Sequence, residues 1–98
     1  MAHEIVEFHP AAAEEAEVAR EWYADRSLVA ARAFLTELTH AVEQVAEVPE
    51  RWPNYEHGTR RYVFPRFPFS LIYRVAGDKV QIIAVAHAKR KPGYWKER

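Results

Sequence analysis

The residues best able to do chemistry gather near the C-terminus, where His87, Lys89, Arg90, Lys91 and Tyr94 follow one another closely. Arg60, Arg61 and Arg66 stand at the ends of segments expected to be neighbouring strands, and could join them. Cleaving RNA without a metal needs a base for the ribose 2′-hydroxyl, an acid for the leaving oxygen and cations around the phosphate. His87, Tyr94, Lys89 and Arg90 have the chemistry for those roles. The same residues would equally make a solvated basic rim that meets an acidic partner. Residue type and spacing leave both readings open.

Other chemistries find no support. The five histidines, at 3, 9, 40, 57 and 87, lack the close spacing that sets two ligands on one helix face or strand, so no metal is expected. Gly58, Gly77 and Gly93 form no glycine-rich loop ahead of a helix. No G-x-S-x-G turn occurs, Ser27 reads as a helix cap and Ser70 lies in a strand segment. With no cysteine, thiolate metal sites, disulfides and thiol nucleophiles are excluded. No cofactor is expected.

The chain has 98 residues, 49% of them hydrophobic, and a formal charge of zero. That length suits one domain, here taken as residues 1–98, with a thin core that buries only ~60–65% of the unfolded surface. The composition excludes a disordered tail, a collagen-like chain and a uniformly basic nucleic-acid binder. Zero net charge hides an asymmetry. Residues 1–49 carry three basic and ten acidic side chains, net −7, while residues 50–98 carry eleven and four, net +7. Such halves form either separate acidic and basic faces or an internal pairing. The start Met1-Ala2-His3-Glu4 lacks the pattern of a secretory leader, and no apolar run approaches ~18 residues, so a cytoplasmic protein without membrane contact is expected.

Glu4-Ile5-Val6-Glu7-Phe8 alternates as a short strand, ended by His9-Pro10. Ala12, Ala16, Ala19 and Tyr23 line one face of a helix over about residues 10–25, with Glu14, Glu15 and Glu17 complementing the dipole at its start. Ser27 caps a second helix whose stripe is Ala31, Phe34 or Leu35, Leu38, Val42 and Val45, stopped by Pro49. The short break makes the two an antiparallel hairpin. Residues 49–58 read as a loop. Strands follow at Arg61–Phe64, Phe69–Val75 and Lys79–Ala86, the last nearly continuous in apolar residues as a central strand covered on both faces would be. The expected fold is α+β, in the order β-α-α-β-β-β, with the helical hairpin on one face of a small, mainly antiparallel sheet. The opposite face is left to solvent or a partner, and the tail from Lys89 is expected to be partly ordered at most. Tyr94-Trp95 and Trp52/Tyr55 could stack on bases or anchor an interface, or Trp52 and Tyr55 could pack the long loop. Trp22 and Tyr23 read as hairpin packing.

Taken together, that element order, the Phe69-Ser70-Leu71-Ile72-Tyr73-Arg74-Val75 strand, and Ile82-Ile83-Ala84-Val85-Ala86-His87 followed by Arg90-x-Pro92-x-Tyr94-Trp95 resemble the RelE/ParE superfamily of bacterial type II toxins. The resemblance spans nearly the whole chain and is densest from Arg60 to Arg98. It implies a small toxin neutralised by a cognate antitoxin, with operator DNA met only indirectly, through the antitoxin. RelE-like members cleave messenger RNA on the ribosome; ParE-like members poison DNA gyrase. The ribonucleases carry arginines where this sequence has Ser70 and Ala88, although Arg61 and Tyr94 fall near their basic and tyrosine positions. A register shifted by one or two residues would bring Arg74 or Arg90 to those places. Losing one such charge-directed contact can cost ~10²–10³ in rate.

The His87-x-x-Arg90-x-Pro92-x-Tyr94-Trp95 ending resembles ParE and plasmid-stabilisation proteins. The resemblance therefore implies a non-enzymatic gyrase inhibitor. Its alternatives are a metal-free ribosome-dependent endoribonuclease using His87, Arg90, Tyr94 and Arg61, or a non-toxic member that only binds antitoxin. Residues expected at the target or partner surface are Arg60, Arg61, Arg66, Arg74, His87, Lys89, Arg90, Tyr94 and Trp95. The antitoxin is expected over part of the basic sheet and the helical hairpin groove.

Overall fold

In the computed structural model, which describes residues 5–98, the strand richest in apolar residues is the axis of the sheet. Strands β1 (Ile5–Phe8), β2 (Arg60–Val63), β3 (Phe69–Ala76) and β4 (Lys79–His87) lie in the order β1-β4-β3-β2. β4 runs parallel to β1 and antiparallel to β3, and β2 pairs antiparallel with β3. The expected β-α-α-β-β-β order and mainly antiparallel sheet hold. Glu4, expected to open the first strand, and His3 lie outside the described residues.

Helices α1 (Pro10–Ala24) and α2 (Leu28–Glu47) cover one face of the sheet. α1 starts where it does because His9 Nδ1 accepts a hydrogen bond from Ala11 N–H at 3.0 Å and Pro10 occupies the first turn. Ser27 Oγ accepts from Ala30 N–H at 3.2 Å and caps α2. The first turn of α1 holds no acidic side chain, so Glu14, Glu15 and Glu17 sit beyond the reach of the helix dipole that was expected to favour them. No helix among the described residues is long and apolar enough to cross a membrane.

Between hairpin and sheet, Ala12 and Ala19 meet Phe34, Leu38, Ala41 and Val45 from α2 and Leu71, Tyr73, Val80 and Ile82 from the sheet. Phe34 sits at the centre, with the rings of Tyr23, Phe64, Phe67 and Phe69 within 5.3–6.2 Å. Of the alternatives Phe34 and Leu35, Phe34 takes the core and Leu35 is exposed. Val42 is only partly buried, with Ala41 filling the stripe in its place.

β2 ends one residue earlier than expected because Phe64 turns off the strand, its N–H donating to Phe69 C=O at 2.9 Å. Buried Glu37 of α2 holds the turn that follows. Its Oε1 accepts from Arg66 N–H at 2.8 Å and Phe67 N–H at 3.4 Å, and its Oε2 from Arg66 Nε at 3.2 Å.

The far face of the sheet differs from the expectation. Ile72, Ile83, Ala84 and Ala86 form a second apolar cluster, closed by Trp95 with Tyr55 and Tyr94 alongside. Adjacent Ile83 and Ala84 both reach this face because the ladder slips between Ile72 and Tyr73, inserting one residue into β4. The C-terminal tail and the 49–58 loop therefore cover much of what composition left to solvent or a partner.

Candidate functional site

The tail after β4 is ordered rather than loose. Successive turns close through Arg90 N–H to His87 C=O, Tyr94 N–H to Lys91 C=O, Lys96 N–H to Gly93 C=O and Arg98 N–H to Trp95 C=O. Gly93 allows this path: its φ is +84°, and a Cβ there would lie 3.0 Å from His57 Nε2. Trp95 then reaches the second cluster at 2% exposure. Its ring stacks on Tyr55, with centroids 5.5 Å apart. Expected at the partner surface, Trp95 is instead a core residue, because an indole is the largest apolar body the tail can bury.

A single carboxylate fastens this tail. β1 stops at Phe8, opposite Ile82, because Pro10 starts α1; beyond that point no strand among the described residues pairs with β4 on that side. Glu15 of α1 fills the gap, its Oε1 accepting from Val85 N–H at 3.0 Å. The same carboxylate accepts from Tyr94 Oη at 2.7 Å and from Arg98 Nη1 and Nη2 at 2.9 and 3.0 Å. Arg98 Nη1 also donates to Ile83 C=O at 3.1 Å. Burial and the bond to Glu15 push the Tyr94 phenol well above its ordinary pKa. The hydrogen bonds to Glu15 likewise raise Arg98.

The other expected partner-binding residues divide into two groups. Arg60 Nη1 donates to the carbonyls of Trp52 and Glu50, pinning the loop before β2. Arg74 Nη2 donates to Arg98 C=O at 3.1 Å, which ties it to the tail. Arg66 leans its Nε on Glu37 but keeps most of its side chain in solvent. These three are spent partly or wholly on the chain itself, which shrinks the cationic rim inferred from composition, and Arg98 is bound to an N-terminal glutamate. Arg61, His87, Lys89 and Arg90 remain. Arg90 lies over the Tyr94 ring with its Cζ 3.7 Å from the centroid, and Arg61 over Tyr55 at 4.4 Å. His87 Nδ1 accepts from Lys89 N–H at 3.0 Å, and its ring meets Phe69 edge-on.

Two depressions flank the end of β4. On the outer face a cleft of about 100 Å³ brings together Arg61, Ser70, His87, Arg90, Tyr94 and Trp95. On the α1 side a groove of about 530 Å³ is lined by Val18, Trp22, Tyr23, Phe69, Val85 and His87, with Glu14 and Arg90 at its rim. Trp22, expected to pack within the hairpin, is 52% exposed there; its neighbour Tyr23 supplies the packing, stacked on Phe34. Reading the residues missed Glu15 and Glu37. Their signal was present: Glu15 falls at helical spacing between Ala12 and Ala19, and Glu37 between Phe34 and Ala41, so both sit on buried stripes.

A solved structure described as a chromosomal ParDE TA system from P. aeruginosa superposes with a TM-score of 0.70 at 21% identity, over 87% of this chain and 96% of that one. That likeness speaks for the fold alone. No curated protein matches the chain by sequence. The family model for the ParE toxin of type II toxin-antitoxin systems, parDE, matches residues 6–92. With the hairpin, the four-stranded sheet and the tail all within or beside that span, the chain belongs to the ParE toxin family.

Proposed function

We propose that this chain is a single toxin domain over residues 1–98 that acts in the cytoplasm by binding and inhibiting DNA gyrase, and that a cognate antitoxin neutralises it. The observation that carries this reading is the engagement of Tyr94. Its hydroxyl donates to Glu15, and its proton is held more tightly than in a free phenol, so it is a poor general acid. Ser70 and Ala88, where the ribonucleases of the wider superfamily carry arginines, offer no cation to a phosphate. A surface that binds is left, without an assembled acid and base.

The antitoxin, in this reading, covers the α1 groove and part of the basic sheet. Val18 and Trp22 give it apolar anchors, and Lys89, Arg90 and Lys91 give it charge. Operator DNA is met only through the antitoxin. Induction of the chain in growing cells is the test. Filamentation, blocked replication and loss of gyrase supercoiling are expected; prompt translation arrest with cleaved transcripts overturns the gyrase reading in favour of ribosome-dependent RNA cleavage. Antitoxin affinity should fall as salt rises, and an affinity indifferent to ionic strength counts against electrostatic docking.

A further inference from the structure

The side of α2 turned away from the core carries apolar and charged groups that nothing in the chain engages. Leu28, Val29 and Leu35 are exposed there to 67, 77 and 40%, and Val29 is the most exposed large apolar side chain among the described residues. Arg32, Thr36, Thr39, His40 and Glu43 share that side and are exposed too. Leu35, Thr36, Thr39, His40 and Glu43 line a shallow depression of about 370 Å³. Both charges lack a local counter-ion. On α1, exposed Arg20 finds Glu17 three residues away. The corresponding neighbours of Arg32, three and four residues off, are Leu28, Val29, Leu35 and Thr36, none of them acidic. Glu43 has Thr39, His40, Ala46 and Glu47 at those distances, with no lysine or arginine. Neither Arg32 nor Glu43 makes an ion pair among the described residues.

We propose that this stripe binds a second copy of the chain, with the two α2 helices antiparallel about a two-fold axis. From Arg32 to Glu43 is about three helical turns, or ~16 Å, so the two lie within about 20° of each other around the helix. A two-fold contact between antiparallel helices sets Arg32 of each copy opposite Glu43 of the other and forms two ion pairs. Parallel helices would put Arg32 against Arg32 and Glu43 against Glu43, which repel. Between the ion pairs lies the depression, where the short side chains of Thr36 and Thr39 leave room for Leu35 of the other copy. Leu28 then falls beside Ala46 of the other copy. Covering Leu28, Val29 and Leu35 removes apolar surface from water. The depression shares no lining residue with the α1 groove, so pairing leaves that groove's lining untouched. The inference stands whichever target the toxin inhibits.

Sedimentation of the full chain over a dilution series tests the proposal. A contact built on one helix pair stands at the small end of specific interfaces, so a dimer that dissociates in the micromolar range is expected. Arg32→Glu and Glu43→Arg each set like charges opposite one another and should raise the dissociation constant about tenfold or more. The two changes made together exchange the charges and should restore the parent's value, since each ion pair is rebuilt with its signs reversed. Asp78→Lys, in the β3–β4 turn, alters net charge as much as Glu43→Arg and should leave the dimer unchanged. All of these side chains are exposed, and circular dichroism confirms that each variant is folded. A chain that stays monomeric at every concentration leaves the stripe to some other partner and overturns the proposal. Single reversals that dimerise like the parent overturn it as well, and so does a double variant no tighter than the single ones.

Discussion

Replacing Glu15 by glutamine should loosen the C-terminal tail and lower the stability of the whole fold. The change keeps the side chain's shape and one carbonyl acceptor, enough for Val85 N–H, but removes the charge that holds Arg98 through two hydrogen bonds and Tyr94 through a third. A hydrogen bond to a charged group contributes about 1.5–3 kcal/mol, and stripping one partner from a fully buried ion pair costs about 3–5 kcal/mol. The Arg98 and Glu15 side chains keep 18% and 16% of their exposure, so solvent screens part of that interaction. The expected loss is about 2–3 kcal/mol, a large share of the roughly 5–15 kcal/mol that stabilises a small domain. For a chain of this size it lowers Tm by roughly 10–20 °C. Urea unfolding reads the loss, and hydrogen exchange reads its location: amides from Lys91 to Arg98 should lose protection ahead of those in α2. Glu17→Gln, which breaks only the exposed pair with Arg20, should leave stability unchanged. A cycle with Arg98→Gln isolates the pair, with non-additivity of about 0.5–3 kcal/mol expected. Strictly additive losses, or a Glu15→Gln chain whose tail amides exchange as slowly as the parent's, refute the reasoning.

Two further outcomes follow from buried polar groups. Tyr73 donates its hydroxyl to Pro49 C=O, and burial pushes its pKa from 10.0 up to about 12. The unfolded chain therefore loses this proton first, so the stabilisation is whole below about pH 10 and declines as pH rises through about 12, by of order 2 kcal/mol. Urea unfolding between about pH 9 and 12 should show that decline, shallower in Tyr73→Phe; parallel curves for the two chains contradict the assignment. Glu37→Ala leaves the N–H groups of Arg66 and Phe67 without their acceptor and should cost about 1–3 kcal/mol, whereas Glu37→Gln, which retains an oxygen, costs less. Equal losses in the two variants would mean that charge, not amide capping, is what Glu37 supplies.

Local chemistry was legible along the chain and set the elements. Helical spacing of alanines and leucines, the Ser27 cap, the stop at Pro49 and the apolar run from Gln81 to Ala86 each act over a few residues, and each formed the element they encode. The order of those elements, with the motifs from Arg60 onward, was enough to indicate the toxin fold. Which cations remain free was decided only in three dimensions. Arg60, Arg74 and Arg98 look like Arg61 and Arg90 on paper, yet the first three meet carbonyls or a carboxylate brought from at least eight and as many as 83 positions away. Glu15 shows the reason most plainly. Its helical position marks it as inward-facing, but its partners lie 70 to 83 residues further on, and only the early end of β1 leaves a strand edge for it to fill. Periodicity is a property of neighbours in sequence, whereas hydrogen-bond satisfaction at a sheet edge is a property of neighbours in space, and the charge left over for a partner depends on the second.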